Sequence, residues 1–248
     1  MSHSLSFNAV DLSSYGLYIT TSERDIIDRW LQTDLVEERS YGWTPDYVPR
    51  EISLNYTVTA DSTANLMTAL DNIKKAMYYE TDKKLIFSVI PTRYFMAKLI
   101  SFSGRLVGIT GYRGEMIFTC ADQNAYSTSE DTNNHPINAD PKVVVETNDG
   151  TVRARPVYKL TAGENIGATT VKLENTDTSD EIQWTGTLNN GDYIEVDCEN
   201  WTVSKNGVVS MSSVSGEFPY LDSGDNNMQV TGLATTGTLL ITYRDRYL

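Results

Sequence analysis

Gly216–Gly232 reads GEFPYLDSGDNNMQVTG, and Gly237–Leu248 reads GTLLITYRDRYL. In these two runs, apolar strand-like stretches flank a turn cluster from Asp222 to Asn227. The final run is again apolar and β-branched. A strand of that composition late in a chain must pair with strands already built, so the passage predicts the closing strand of a β-sandwich.

The sequence upstream agrees. Asn148-Asp149-Gly150, Asn189-Asn190-Gly191 and Asn206-Gly207 read as hairpin signals, because Asn and Gly accept the positive φ of tight turns. Between them lie short strands such as Asp192–Cys198, with Ile194, Val196 and Cys198 on one face. With no persuasive helix, residues 142–248 read as an antiparallel β-sandwich. Asn124–Pro141 is polar and turn-rich, and residues 131–141 within it read as a linker.

Residues 1–130 follow another pattern. Leu66, Leu70, Ile73 and Met77 recur at helical spacing from a cap at Asp61 or Ser62, and the helix is expected over Ala64–Tyr79. Lys74 and Lys75 suit the negative end of its dipole. Around it, Arg50–Ala60 alternates Ile52, Leu54, Tyr56 and Val58. Lys84–Ile90 alternates Leu85, Phe87 and Val89, and Tyr94–Phe102 and Arg113–Cys120 continue the period of two. One helix packed on a largely antiparallel sheet buries all of these faces. The fold class is therefore mainly β.

The 248 residues are 40% apolar and 21% charged, with 15 Tyr. The net charge of −13 argues against electrostatic binding of nucleic acid or an anionic membrane. It divides unevenly: residues 1–130 hold 12 basic and 16 acidic side chains, residues 131–248 hold 8 and 17. No apolar run has the length of a membrane span, and the first residues lack the pattern of a secretory signal, so folding in a cytosol is expected. In that compartment Cys120 and Cys198 read as free buried thiols.

The search for chemistry returns little. His3 and His135, the only histidines, have no partners at ligand spacing, and His135 reads as a solvated loop residue. There is no phosphate-binding glycine loop, nucleophile elbow or paired-cysteine motif. Asp177, Asp180 and Glu181 cluster, as do Asp222 and Asp225, but neither group has the spacing of a calcium loop, and both read as acidic turns. Trp184 and Trp201 could stack on a sugar ring, although core positions are the better expectation. No catalytic, cofactor-binding or metal-ligating residue is nominated, and no cofactor is expected. A glycoside hydrolase would need two convergent carboxylates, and none can be assigned.

In order and pattern the chain resembles the distal tail protein (Dit) family of long-tailed, non-contractile bacteriophages. The likeness runs through Ser6-Phe7-Asn8, Leu12–Ile19, Arg50–Val58, the helix, and Leu85–Leu99, where Pro91-Thr-Arg-Tyr94 looks like a strand-turn-strand passage. It ends in GEFPYLDSGDNNMQVTG, where Ser223-Gly224 stands for the more usual Pro-Gly and Asp225 intervenes before Asn226. The resemblance implies a tail-tube-like, ring-forming domain over residues 1–130 and a galectin-like sandwich over 142–248. It implies a homohexameric ring around the DNA channel of a virion tail tip, assembled in the host cytoplasm. That ring would join the tail-tube protein to the tail-associated protein and, in some phages, to receptor-binding proteins, with no catalysis, no specific nucleic-acid binding and no membrane insertion. The alternative is a carbohydrate-binding module that recognises a cell-wall glycan through the sandwich.

Overall fold

The computed structural model describes residues 3–23, 25–26 and 49–248, which form two compact units: one up to Thr128 together with Leu248, the other Ser129–Tyr247. Both are built almost entirely from antiparallel strands, as the alternation predicts.

In the first unit the strands are β1 (Leu5–Phe7), β2 (Val10–Asp11), β3 (Leu17–Ile19), β4 (Arg50–Thr59), β5 (Lys83–Phe87), β6 (Ile90–Val107), β7 (Gly111–Cys120) and β8 (Ala125–Ser127). They run β2-β1-β5-β6-β7-β4-β3, with β8 beside β6. The backbone of His3 exchanges hydrogen bonds of 3.1 and 2.8 Å with Ile19 on β3, which sets the chain just before β1 against the far end of this path. Ile52, Leu54, Tyr56 and Val58 of β4 are all buried. Helix α1, Thr63–Met77, buries Leu66, Leu70, Ile73 and Met77, and the side chain of its cap Ser62 accepts from Asn65 N. The helix ends earlier than periodicity suggests. Tyr78 is extended, and the turn lets Tyr79 pack against Phe7 at 6.1 Å.

Two local expectations are corrected. Val89 does not continue β5: Phe87 pairs with Ile90, so Ser88-Val89 is a two-residue hairpin turn. The Pro91–Tyr94 stretch is accordingly not a turn but the beginning of β6, where a proline near the strand start costs no ladder bond. β6 is long because it serves two partners. Residues up to Ala97 pair with β5 and those from Lys98 pair with β7, with a register shift between Leu99 and Ser101 within the second stretch.

The second unit contains β9 (Asp131–Ile137), β10 (Lys142–Asn148), β11 (Val157–Thr161), β12 (Gly167–Asn175), β13 (Asp180–Leu188), β14 (Tyr193–Asp197), β15 (Thr202–Lys205), β16 (Val208–Val209), β17 (Val214–Gly216), β18 (Gly224–Thr231) and β19 (Gly237–Tyr243). Five strands form one sheet, β10-β18-β12-β13-β17, and six form the other, β16-β15-β14-β11-β19-β9. Tyr158, Leu160, Leu173, Ile182, Val196, Met228, Val230, Leu239 and Ile241 fill the space between them. The late run predicted to close the sandwich does so from an inner position, since β19 pairs with both β11 and β9.

The stretch read as a linker is largely structural. Asp131–Ile137 is β9, in register with β19, because His135 and Ile137 face inward while Thr132, Asn134 and Pro136 face water. Of the three hairpin signals, only Asn206-Gly207 is a hairpin turn, joining β15 to β16 with φ of 50° and 77°. Asn189–Gly191 lies between β13 and β14, strands of opposite sheets, and Asn148–Gly150 ends β10 before the chain crosses to the other sheet. Turn chemistry is the same for a hairpin and a crossover, so these residues mark the bend but not the partner.

Cys120 and Cys198 are free and buried. Burial pushes the Cys120 thiol up to about 12 and raises the Cys198 thiol as well. Thiolate is the reactive form, so neither cysteine should react with a disulfide reagent at pH 8 in the native protein, and both should react once it is unfolded. Rapid native labelling would contradict this packing.

Candidate assembly surfaces

The turn passage Gly216–Gly232 is held by three buried carboxamides. Asn226, fully buried, accepts from Asp222 N (2.8 Å) and Asn175 Nδ2 (3.0 Å), and donates to the carbonyls of Asp222 and Gly224 (2.8 Å each). That uses the full donor and acceptor capacity of the amide. Asn175 also donates to Tyr220 O at 2.8 Å and accepts from Asp177 N at 3.1 Å. Asn148 donates to Leu221 O and Val152 O at 3.0 Å each and accepts from Gly150 N at 2.9 Å. The passage is therefore fastened to the ends of β10 and β12 rather than lying loose on the surface. Sequence reading placed Asn226 in a turn but missed its distant partner, Asn175 at the end of β12.

The carboxylates considered as a metal site are each engaged separately. Asp177 accepts from Asn227 N (2.7 Å) and Nδ2 (3.1 Å), bonds that hold its carboxyl below the usual range. A lowered folded pKa gives stability that is complete above the unfolded value and is lost as pH falls through the folded one. Asp180 accepts from Thr178, Glu181 pairs with Lys172, Asp222 pairs with Arg153 at 2.7 Å, and Asp225 accepts from Thr147 at 2.7 Å. Among the described residues, no group of three or more His, Cys, Asp or Glu is arranged to hold a metal.

The histidines divide. His3 lies 3.7 Å from Glu23. His135 is not a solvated loop residue. Its Nε2 meets Glu146, which is 2% exposed, while Asn133 Nδ2 donates to the same carboxylate at 2.9 Å. Asn133 and His135 alternate on β9, so two side chains of one edge strand grip a carboxylate on the edge strand of the opposite sheet. The polar cleft there has a volume of about 430 Å³ and is also lined by Asp131, Asp149 and Tyr243.

The tryptophans also divide. Trp184 is core, its indole N–H donating to Ser210. Trp201 is not: it is 61% exposed, has a φ of 56°, and has Phe218 beside it at 6.4 Å. The cause is local. Asp197 accepts from the backbone N–H groups of Glu199 and Asn200 and from the side chain of Asn200, forming a tight turn whose next residue, Trp201, points outward.

The first unit offers a different surface. Between Lys98 and Val107, β6 pairs with β7 on one side, and no described strand pairs with its other edge. Ile100 is 51% exposed along this edge. A long, uncovered edge is a template for another strand.

Residues 149–247 match the family model of the siphovirus-type tail component, C-terminal domain. Over these residues the chain is similar to a Dit-type tail domain. The resemblance to the distal tail protein family therefore holds. No curated protein sequence matches the chain. The crystal structure of the Dit protein (gp 19.1) of phage SPP1, described as a paradigm of the hub adsorption apparatus in phages infecting Gram-positive bacteria, is similar at a TM-score of 0.72 with 15% identity over 99% of both chains. A chain of the phage P2 baseplate in its activated, calcium-containing conformation aligns over 97% of both chains with a TM-score of 0.49 and 8% identity. The mainly β fold class read from the sequence is that of SPP1 Dit.

Replacing Asn226 by Ala orphans two donors and two acceptors inside the second unit, each costing about 1–3 kcal/mol when buried without a partner. A loss of at least ~3 kcal/mol in denaturant unfolding of that unit is expected. A loss under ~1 kcal/mol would mean that the clasp does not hold the passage.

Proposed function

We propose that the chain is a structural hub of a phage tail tip, without catalytic activity, that closes into a homohexameric ring around the DNA channel. The reading is carried by the match of residues 149–247 to the tail-component family. The fold shared with SPP1 Dit over nearly the whole chain supports it. In this reading residues 1–130 form the tail-tube-like ring domain and residues 142–248 a galectin-like sandwich. The ring binds the tail-tube protein on one side and the tail-associated protein, with any receptor-binding protein, on the other. It is assembled in the host cytoplasm and ends in the virion.

A cyclic ring joins one surface of each subunit to a different surface of the next. The open edge of β6 has the character of one half of such a contact, because backbone N–H and C=O groups there can extend the sheet into a neighbour. The net charge of −13 is compatible with a channel that nucleic acid traverses without the counterion release that drives binding.

Light scattering of the purified chain with its tail-tube partner should give the mass of six copies, and negative-stain images should show rings. Ile100→Asp, which adds a charge to the open edge, should leave the thermal melt within a degree or two and abolish the ring. A ring unaffected by this substitution would move the contact elsewhere, and a chain that stays monomeric with every tail partner would sink the reading.

The exposure of Trp201 favours a second reading, in which the sandwich recognises a cell-wall glycan by stacking a sugar face on the indole beside Phe218. Saccharide titration would quench tryptophan fluorescence in the wild type and not in Trp201→Ala. Silence on host cell-wall polysaccharide would end this alternative.

A further inference from the structure

The tip of the β6–β7 hairpin exposes apolar side chains in a cluster. Leu106, Val107 and Ile109 are 59%, 49% and 76% exposed, and Met67, one turn into α1, is 53% exposed. The tip is tied down: Thr63 Oγ1 donates to Ile109 O at 2.8 Å and Ala60 N to Thr110 O at 3.0 Å.

A stiff stalk carries it. Phe102 stacks on Tyr56 at 4.6 Å and on Tyr112 at 6.5 Å, and Tyr56 OH donates to Ser103 O at 3.1 Å. Gly104 and Gly114 pair directly across the hairpin. A Cβ on Gly104 would sit 2.5 Å from the Tyr112 ring, and one on Gly114 1.8 Å from Ser103 O, so the close approach requires both glycines. The apolar tip is thus a fixed protrusion and not a floppy loop.

Next to the tip on the same hairpin, Arg105 and Arg113 are direct cross-strand partners, both exposed, and neither has a carboxylate partner among the described residues. Like charges directly opposite are destabilising. Among the described residues no acidic side chain offsets this pair, and an external anionic surface would.

We propose that this tip docks into a second tail protein whose contact surface is an apolar socket rimmed by carboxylates. The inference rests on the ring reading above. Ring closure through the open edge of β6 adds neighbours across the strands, whereas the hairpin tip lies at the strand ends. Repeated round a ring, the tips form a crown on one rim, directed at whatever stacks there and not at the lateral neighbour. A nucleic acid would engage the arginines but would leave Leu106, Val107 and Ile109 without a counterpart.

The test uses the full chain with three probes: the tail-tube protein of the same phage, its tail-associated protein, and a short DNA duplex. The variants are Leu106→Ser/Ile109→Ser and Arg105→Glu. Wild type should bind one of the two proteins. The double variant should keep the ring mass and melting temperature and weaken that binding by at least about 30-fold, as expected for removal of a central apolar anchor. Arg105→Glu should weaken it too, and more at low salt than at high salt. Unchanged binding by the double variant, loss of the ring in it, binding of neither protein by wild type, or duplex binding that both variants abolish would each overturn the proposal. Ring mass and partner affinity are separate readouts: a wild type that never forms a ring refutes the hub reading, while intact rings whose partner binding ignores the tip refute only the docking surface.

Discussion

The hydrogen bonding of one buried amide, Asn226, is the constraint around which the second unit is arranged. A fully buried carboxamide is tolerated only when both its donors and both its acceptor sites are used, and here the partners come from two stretches of chain. Asp222 and Gly224 lie just before it, and Asn175 arrives from the end of β12. The same passage is reached by Asn148 from the end of β10 through Leu221. Fixing residues 220–226 in this way sets the entry of β18 between β10 and β12. From there the chain turns back as β19, between β11 and β9 of the facing sheet. The order of both sheets thus depends on a polar knot at their margin as well as on the apolar layer between them.

Alternation carries most of what was legible. Wherever one face of a strand meets the core, a period of two in apolar residues is obligatory, and β4, β7, β14 and the buried stripe of α1 follow directly from it. Pairing is not encoded in this way. Asn148–Gly150 and Asn189–Gly191 look like hairpin turns because the backbone conformations are the same, yet each leads to the opposite sheet. β9 escaped notice because its inward positions are His135 and Ile137, with Asn133 on the same side, rather than a run of aliphatics. Its polarity, which suggested a linker, is what grips the buried Glu146.

Trp201 shows the same limit from the other side. Composition puts tryptophan inside, but a three-bond turn around Asp197 decides its direction, and that turn is built from Glu199 and Asn200, residues with no apolar signal. The turn passage was legible for a related reason: the clasp closes only with Leu221, Gly224 and Asn226 at this spacing.

For an assembly protein, the informative surfaces are those the fold leaves unfinished. A closed core and satisfied polar groups say what is stable; an unpaired edge and uncompensated like charges say where another molecule belongs. In the first unit the His3–Ile19 bridge sets the chain just before β1 against β3, and among the described residues the far stretch of β6 keeps one edge without a strand partner. The edge invites a backbone partner across the strands, and the tip beyond it presents apolar side chains with two arginines along them. In the ring proposed above, these two chemistries on one hairpin would separate the lateral neighbour from the axial one. An adhesive patch of a single kind could not make that distinction, because the same forces would serve both contacts and assembly would not stop at a closed ring.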